Sequence, residues 1–290
     1  VLGTNRSYVG INHDLRCLDG KYIQMPVWFS GEPDTGVWGK LSLPNPHAKS
    51  SVGDTSQLYP VGTKFVDGDR TFFYGYMGTV YTANKANIGV FNGSAQDTVT
   101  WGATAGVAGD TIVGILASTL DTGATPVRDY FAGGWFMPRT NPYSSYRVLA
   151  STTATGGRTS GEVDLTLDYG LVEAVAASVA SCFLNRSEFK NLIQHWAGGI
   201  NYATCPGVTL IDPIASTWQW IQSWGPCYVV PYNEEIGAVA YAHACVFHID
   251  GTIKLQTKTT TAASQLAGYM IPSSGASFGS TWLIRLQINK

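Results

Sequence analysis

Charge is scarce in this chain. Lys and Arg number 18 and Asp and Glu 20 among 290 residues, 13% in all and about half the usual share. Solubility then falls to Ser, Thr, Asn, Gln and Gly, a surface common in proteins that live packed against neighbours. The net charge is −2 and no run of Lys or Arg occurs, so the counterion-displacing patch that nucleic-acid binding needs is missing. No stretch reaches the ~18–20 apolar residues of a membrane-spanning helix. No signal-peptide pattern opens the chain, and its start at Val1 leaves open whether a preceding piece was removed.

Signatures of catalysis and of metal binding are equally sparse. The five cysteines, Cys17, Cys182, Cys205, Cys227 and Cys245, include no C-x-x-C pair, which argues against a zinc ribbon or a thioredoxin-like site. Their odd number and wide spacing point to buried thiols rather than a disulfide framework. His243 and His248 stand five apart on a strand-like run and so face opposite ways. No metal and no cofactor are expected. No Gly-x-Ser-x-Gly elbow stands between a strand and a helix, and no phosphate loop occurs. Glu234 and Glu235 are neighbours that would diverge on a strand. A glycosidase pair assembled from distant positions is left open.

What the chain does contain is β structure. Apolar residues make up 44%, enough for one large all-β domain or two smaller ones. Asp19-Gly20, Asp67-Gly68 and Asp250-Gly251 each precede a run of aromatic or branched residues. Such pairs supply the positive φ angles of a type I′ hairpin turn. Ile284, Leu286 and Ile288 alternate with polar neighbours behind Trp282, the period of a half-buried strand. Val163, Leu165 and Leu167 alternate in the same way. Helix signals are few. Phe189, Leu192, Ile193 and Trp196 fit helical spacing behind Ser187 as an N-cap, with an extended segment as the rival. Gly and Pro punctuate residues 30–60 without periodicity. The reading is a mainly β fold, an antiparallel β-sandwich or β-barrel with long loops. Residues 1–57 form an N-terminal arm, hairpin and linker, and 58–290 the main β domain; a peripheral subdomain folded onto the main body is the rival for 1–57.

One run stands out. Ile214 to Pro226 reads as an aromatic strand ending at Gly225-Pro226, with Trp218, Trp220 and Trp224 on one face. It belongs to a series of blocks. Before it come Leu58-Tyr59-Pro60-Val61-Gly62-Thr63 with Asp67 to Phe72, then Ala103 to Leu116, Asp129 to Trp135, and Tyr146-Arg147-Val148. In that order, across 58–290, they resemble the blocks of a family of small tailed-phage virion proteins, the capsid decoration or cement proteins. The resemblance implies a mostly β protein on the exterior of the capsid, without enzyme activity. It implies binding to the major capsid protein and self-assembly, with a homotrimer the expected oligomer, and no nucleic-acid or membrane partner. The long arm and the aromatic and polar residues of 185–205 depart from the family pattern.

Large aromatics favour cores and interfaces. Trp218, Trp220 and Trp224 are therefore read as core or subunit contact, and Tyr22, Trp28, Phe29 and Trp38 as contacts made by the arm. Two rival readings stand beside this. A tryptophan face with Gln222 between suits a carbohydrate- or receptor-binding module of a tail or fibre. An arm with free strand edges suits an extracellular filament subunit.

Overall fold

The computed structural model describes residues 14–16, 21–26, 44, 46, 53–78, 83, 85–89, 97–120, 128–139, 144–153, 157, 161–178, 180–194, 204–232, 243–256, 265–271 and 283–288. Among them the fold is mainly β, and the only helical element is a 3-10 turn at Ala117–Thr119. The chain divides into two compact units. One comprises Val1–Pro26, Glu32–Val90 and Glu188–Lys290, the other Val27–Gly31 and Phe91–Ser187. This differs from the expected division at residue 57. The strands on either side of that position pair with each other, whereas 91–187 buries its apolar side chains among themselves.

In chain order the first unit begins with β1 (Asp14–Arg16), β2 (Tyr22–Gln24), β3 (Lys64–Asp67), β4 (Arg70–Met77) and β5 (Ala86–Gly89). The second unit holds β6 (Asp97–Thr100), β7 (Ile112–Leu116), β8 (Trp135–Met137), β9 (Tyr146–Ser151), β10 (Glu162–Leu167) and β11 (Ala180–Asn185). The chain then returns to the first unit through β12 (Leu192–Gln194), β13 (Gly207–Thr209), β14 (Thr217–Tyr228), β15 (Ala244–Phe247), β16 (Ile253–Leu255), β17 (Leu266–Met270) and β18 (Leu283–Gln287). β5 and β12 are antiparallel neighbours, so the second unit is an insertion in the connection between two paired strands.

The first unit is organised by its two long strands. β4 and β14 run antiparallel from Thr217↔Met77 to Trp224↔Thr71. β4 also pairs with β12, β12 with β5, β5 with β13 and β13 with β14, so five strands close into a ring. Side chains alternate between faces along a strand. Phe73, Met77 and Ile221 meet Leu192 and Phe189 on one face, while Phe72, Tyr74 and Trp220 meet Phe65, Tyr59 and Ile23 on the other. Both faces are buried, and on β14 this includes the polar side chains of Thr217, Gln219, Gln222 and Ser223. The ring is tight at Gly75, where a Cβ would lie 2.5 Å from Leu192 Cδ1.

Beyond the ring, β4 extends the sheet to β3, β2 and β1, and β14 extends it to β18, β17, β15 and β16. The outer edge of β16 is covered by the segment 230–232, through Ile253 N–H to Val230 O (3.0 Å) and Tyr232 N–H to Ile253 O (2.8 Å). β18 keeps the alternation expected of it, with Ile284 and Leu286 buried and Leu283 exposed. The helical alternative behind Ser187 does not form. Phe189 anchors a turn and Leu192–Gln194 is a strand, while Trp196 lies outside the described residues. Three side chains at helical spacing were drawn instead into the extended rim of the ring, where Leu192 packs on Met77 and Ile221.

In the second unit the strand order is β6-β11-β8-β9-β10-β7. A bridge between Trp101 and Ile115, with Gly102 N–H donating to Gly114 O at 2.8 Å, joins its two ends into a second ring. Its core gathers Trp101, Phe131, Phe136, Ile115, Leu165 and their neighbours, all drawn from this unit.

Candidate functional site

The aromatic strand behaves as a core element. Trp220 is 6% exposed and lies 5.1 Å from Tyr59, 5.0 Å from Tyr74 and 5.7 Å from Phe65, ring centre to ring centre. Edge-on and tilted geometries of this kind are the favoured aromatic contacts. Trp218 is half-buried against Tyr76, at 5.0 Å. Its free edge is taken by Asp54, whose N–H donates to Trp218 O (2.8 Å) and whose carbonyl accepts from Trp218 N–H (3.0 Å).

The strand does not end at Gly225-Pro226, and Trp224 does not share the face of Trp218 and Trp220. The register against β4 slips between Gln222 and Trp224, so that Gln222 faces Phe72 and Trp224 faces Thr71. This bulge carries β14 across to β18, which it pairs from Trp224 to Tyr228. Gln222 Nε2 secures it by donating to Trp224 O (3.0 Å) and Pro226 O (2.8 Å). Gly225 has φ +89°, and a Cβ there would meet Asp69 O at 2.3 Å. Sequence reasoning took the Gly-Pro as punctuation; its role is to bend one strand between two partners. Of the arm residues, Tyr22 is half-buried in β2, and Trp28, Phe29 and Trp38 lie outside the described residues. Trp218, Trp220 and Trp224 therefore do not form one exposed indole platform.

Beneath the aromatic cluster sits a polar pair that sequence reading missed. Tyr74 Oη donates to Asp54 Oδ2 at 2.7 Å and accepts from Leu58 N–H at 3.3 Å. Burial raises the Asp54 carboxyl above its ordinary value, against the lowering effect of the tyrosine hydrogen bond. Burial and the neighbouring carboxylate also push the Tyr74 phenol well upward. Residues 53–54, assigned to a linker from sequence, thus pin the aromatic layer.

A second polar cluster lies in the β15–β16 turn. Asp250 Oδ1 contacts His248 Nδ1 at 2.9 Å and accepts the Thr252 N–H at 3.0 Å, and Thr252 Oγ1 also reaches it. Tyr232 stacks on His248 at 3.8 Å. Burial raises the Asp250 carboxyl, but the bonds from Thr252 and His248 outweigh it and the net shift is downward. A His–Asp pair suggests catalysis, yet the Thr252 hydroxyl beside it is spent on Asp250. The arrangement organises a turn around Gly251, φ +82°.

A third cluster is carboxylate. Glu162 and Asp164 share one face of β10 and both are buried, so this strand is covered on the polar as well as the apolar side of its alternation. Glu162 Oε1 accepts Ala103 N–H at 2.6 Å, beside the bond that closes the second ring. Gly102 and Gly114 leave the space for it, since a Cβ on either would sit 2.6 Å from a Glu162 oxygen. Glu162 is a latch on the ring closure.

Among the described residues no group of three or more His, Cys, Asp and Glu is placed to hold a metal. Cys182, Cys205, Cys227 and Cys245 are buried, while Cys17 lies outside the described residues. Burial pushes the Cys227 thiol up to about 12 and the Cys245 thiol up to about 11, so neither is an activated nucleophile. Gly275-Ala276-Ser277-Phe278-Gly279 does carry the Gly-x-Ser-x-Gly spacing. It lies outside the described residues, in the connection between the paired strands β17 and β18. Glu234 and Glu235 also lie outside the described residues.

No protein-family model matches the chain, and no curated protein or solved structure matches it.

Proposed function

We propose that the chain is a structural protein of a tailed-phage virion, a decoration or cement protein that binds the outside of the assembled head. The observation that carries the reading is where the resembling blocks fall. The blocks at 58–72 and 214–226 are distant in sequence yet lie side by side, Gln222 against Phe72 and Trp224 against Thr71. The blocks at 129–135 and 146–148 meet as well, Trp135 against Arg147, with the guanidinium 4.2 Å from the indole centre. The residues that carry the resemblance are thus frame residues of the two rings.

The mechanism is mechanical. A protein that binds the assembled lattice and not the free subunit stabilises the lattice by mass action. Its partners in this reading are the major capsid protein and further copies of itself, as a homotrimer. No bond-making step is needed, which fits polar clusters whose groups are spent on turns and strand closure.

The test is co-sedimentation with undecorated heads of the virion that carries it. Saturable binding that raises the temperature of head disassembly is the expected result. Protein that ignores the heads and is found by electron microscopy on the tail would replace this reading with a receptor-binding one.

A further inference from the structure

Two loops at one end of the second unit carry the three most exposed large apolar side chains of the described residues. Val107 is 62% exposed, Tyr169 72% and Val172 61%. The loops are stitched together by their backbones. Gly109 N–H donates to Leu171 O (2.7 Å), Leu171 N–H to Asp110 O (2.9 Å), and Gly106 and Val175 exchange two bonds of 2.9 Å. They touch so closely at Gly109 and Gly170 that a Cβ on Gly170 would meet Gly109 O at 2.6 Å.

Both loops are anchored from below. Leu171 and Val175 point into the core on either side of the outward Val172. Trp101 lies directly under Gly106 and its Nε1 donates to Thr104 O at 2.8 Å. The Tyr146 hydroxyl accepts Val172 N–H at 2.9 Å. Apolar side chains are thus held out into water on a backbone already fixed, so little ordering entropy remains to be lost on binding.

The charge of the tip decides the occupant. Neither 86–127 nor 159–185 contains a Lys or Arg. Asp110 accepts Val107 N–H (2.8 Å), Asp168 accepts Arg147 N–H (2.9 Å) and Glu173 is exposed beside Val172, so the charged side chains on these two loops are all acidic. A two-fold contact between copies through this tip would bring two acidic tips together, like charge against like. An anionic membrane surface would repel it too.

We propose that this two-loop tip docks onto a different protein, in an apolar cleft edged by Lys or Arg. Under the virion reading, on which the partner's identity rests, that protein is the major capsid subunit.

The experiment compares the full chain with V107S/Y169S/V172S and with Glu173→Gln by co-sedimentation with undecorated heads across a salt series. Circular dichroism melting checks each fold, which these outward positions should leave unchanged. The expected result is binding weakened at least tenfold by the triple change, with a shallower salt dependence in Glu173→Gln. Should the triple variant fail to fold, undiminished binding and salt dependence in Glu173→Gln would overturn the charge-matched docking. Wild type and triple variant binding alike overturns the tip while leaving the virion reading intact. Wild type that binds no heads overturns the virion reading, and the capsid subunit as partner with it. Self-association in the ultracentrifuge that the triple change abolishes would mean the tip meets a second copy, which also overturns the proposal.

Discussion

Trp220 and Gln219 are adjacent on β14 and pose opposite problems. Trp220 fills an aromatic layer, and its replacement by Ala leaves a cavity costing about 3–5 kcal/mol. Urea denaturation should show that loss, and a change below about 1 kcal/mol would mean the indole is not in a packed core. Gln219 is 3% exposed on the Ile221 face, opposite Gly75, and neither its Oε1 nor its Nε2 has a hydrogen-bond partner among the described residues. Thr209 Oγ1, on the strand beside it, is likewise unpartnered. A buried polar group left unsatisfied costs about 1–3 kcal/mol. Gln219→Met, near in volume and apolar, should therefore raise the denaturation midpoint by a comparable amount; a lower midpoint would show that the amide is satisfied in solution. The two aspartates give pH tests of opposite sign. Asp54 has a raised carboxyl, so its contribution is full below the ordinary carboxylate range and is lost as pH rises through the raised value. Asp250 has a lowered carboxyl, so its contribution is present above the ordinary range and is lost as pH falls through the lowered value. Melting temperatures against pH should find Asp54→Asn least harmful at neutral pH and Asp250→Asn least harmful in acid. Parallel profiles would refute both assignments.

At the scale of elements, β14 depends on one glycine. Gly225 combines a positive φ with backbone contact to Asp69, so Gly225→Ala incurs strain of about 1–3 kcal/mol and a collision with the β3–β4 turn. The expected outcome is a lower melting temperature with faster amide exchange at both Trp224–Tyr228 and Arg70–Thr71; exchange confined to residue 225 itself would mean the bulge is independent of the turn. The hairpins were legible because Asp-Gly between apolar runs is a local signal, and β3 and β4 do meet at Asp67↔Arg70. The turn type was not. Only Gly68 of the two loop residues has positive φ, the II′ pattern rather than I′, and Asp250-Gly251 serves a longer loop closed by His248 N–H to Thr252 O at 2.7 Å. The Asp19-Gly20 turn lies outside the described residues, though β1 and β2 on either side of it pair.

For the whole molecule the decisive feature is the insertion. Among the described residues the core of the second unit draws on Val99 to Leu184, so Phe91–Ser187 made alone should melt as one cooperative transition. A featureless melt would mean that it needs the first unit. Removing 1–57, in contrast, deletes Ile23 from the aromatic layer and Asp54 from the edge of β14, and should destabilise the first unit rather than trim an appendage.

The sequence by itself determined the fold class, the hairpin positions, the C-terminal strand and the burial of Trp220, because alternation, turn chemistry and side-chain size act between near neighbours in the chain. The tertiary structure alone decided which strands meet. The closure of the first ring, the crossing of β14 from one partner to another, the burial of Glu162 and the recruitment of Leu192 into a strand all depend on residues dozens or hundreds of positions apart. Local propensity carries no record of such contacts, and where the two disagreed the non-local burial of large side chains prevailed.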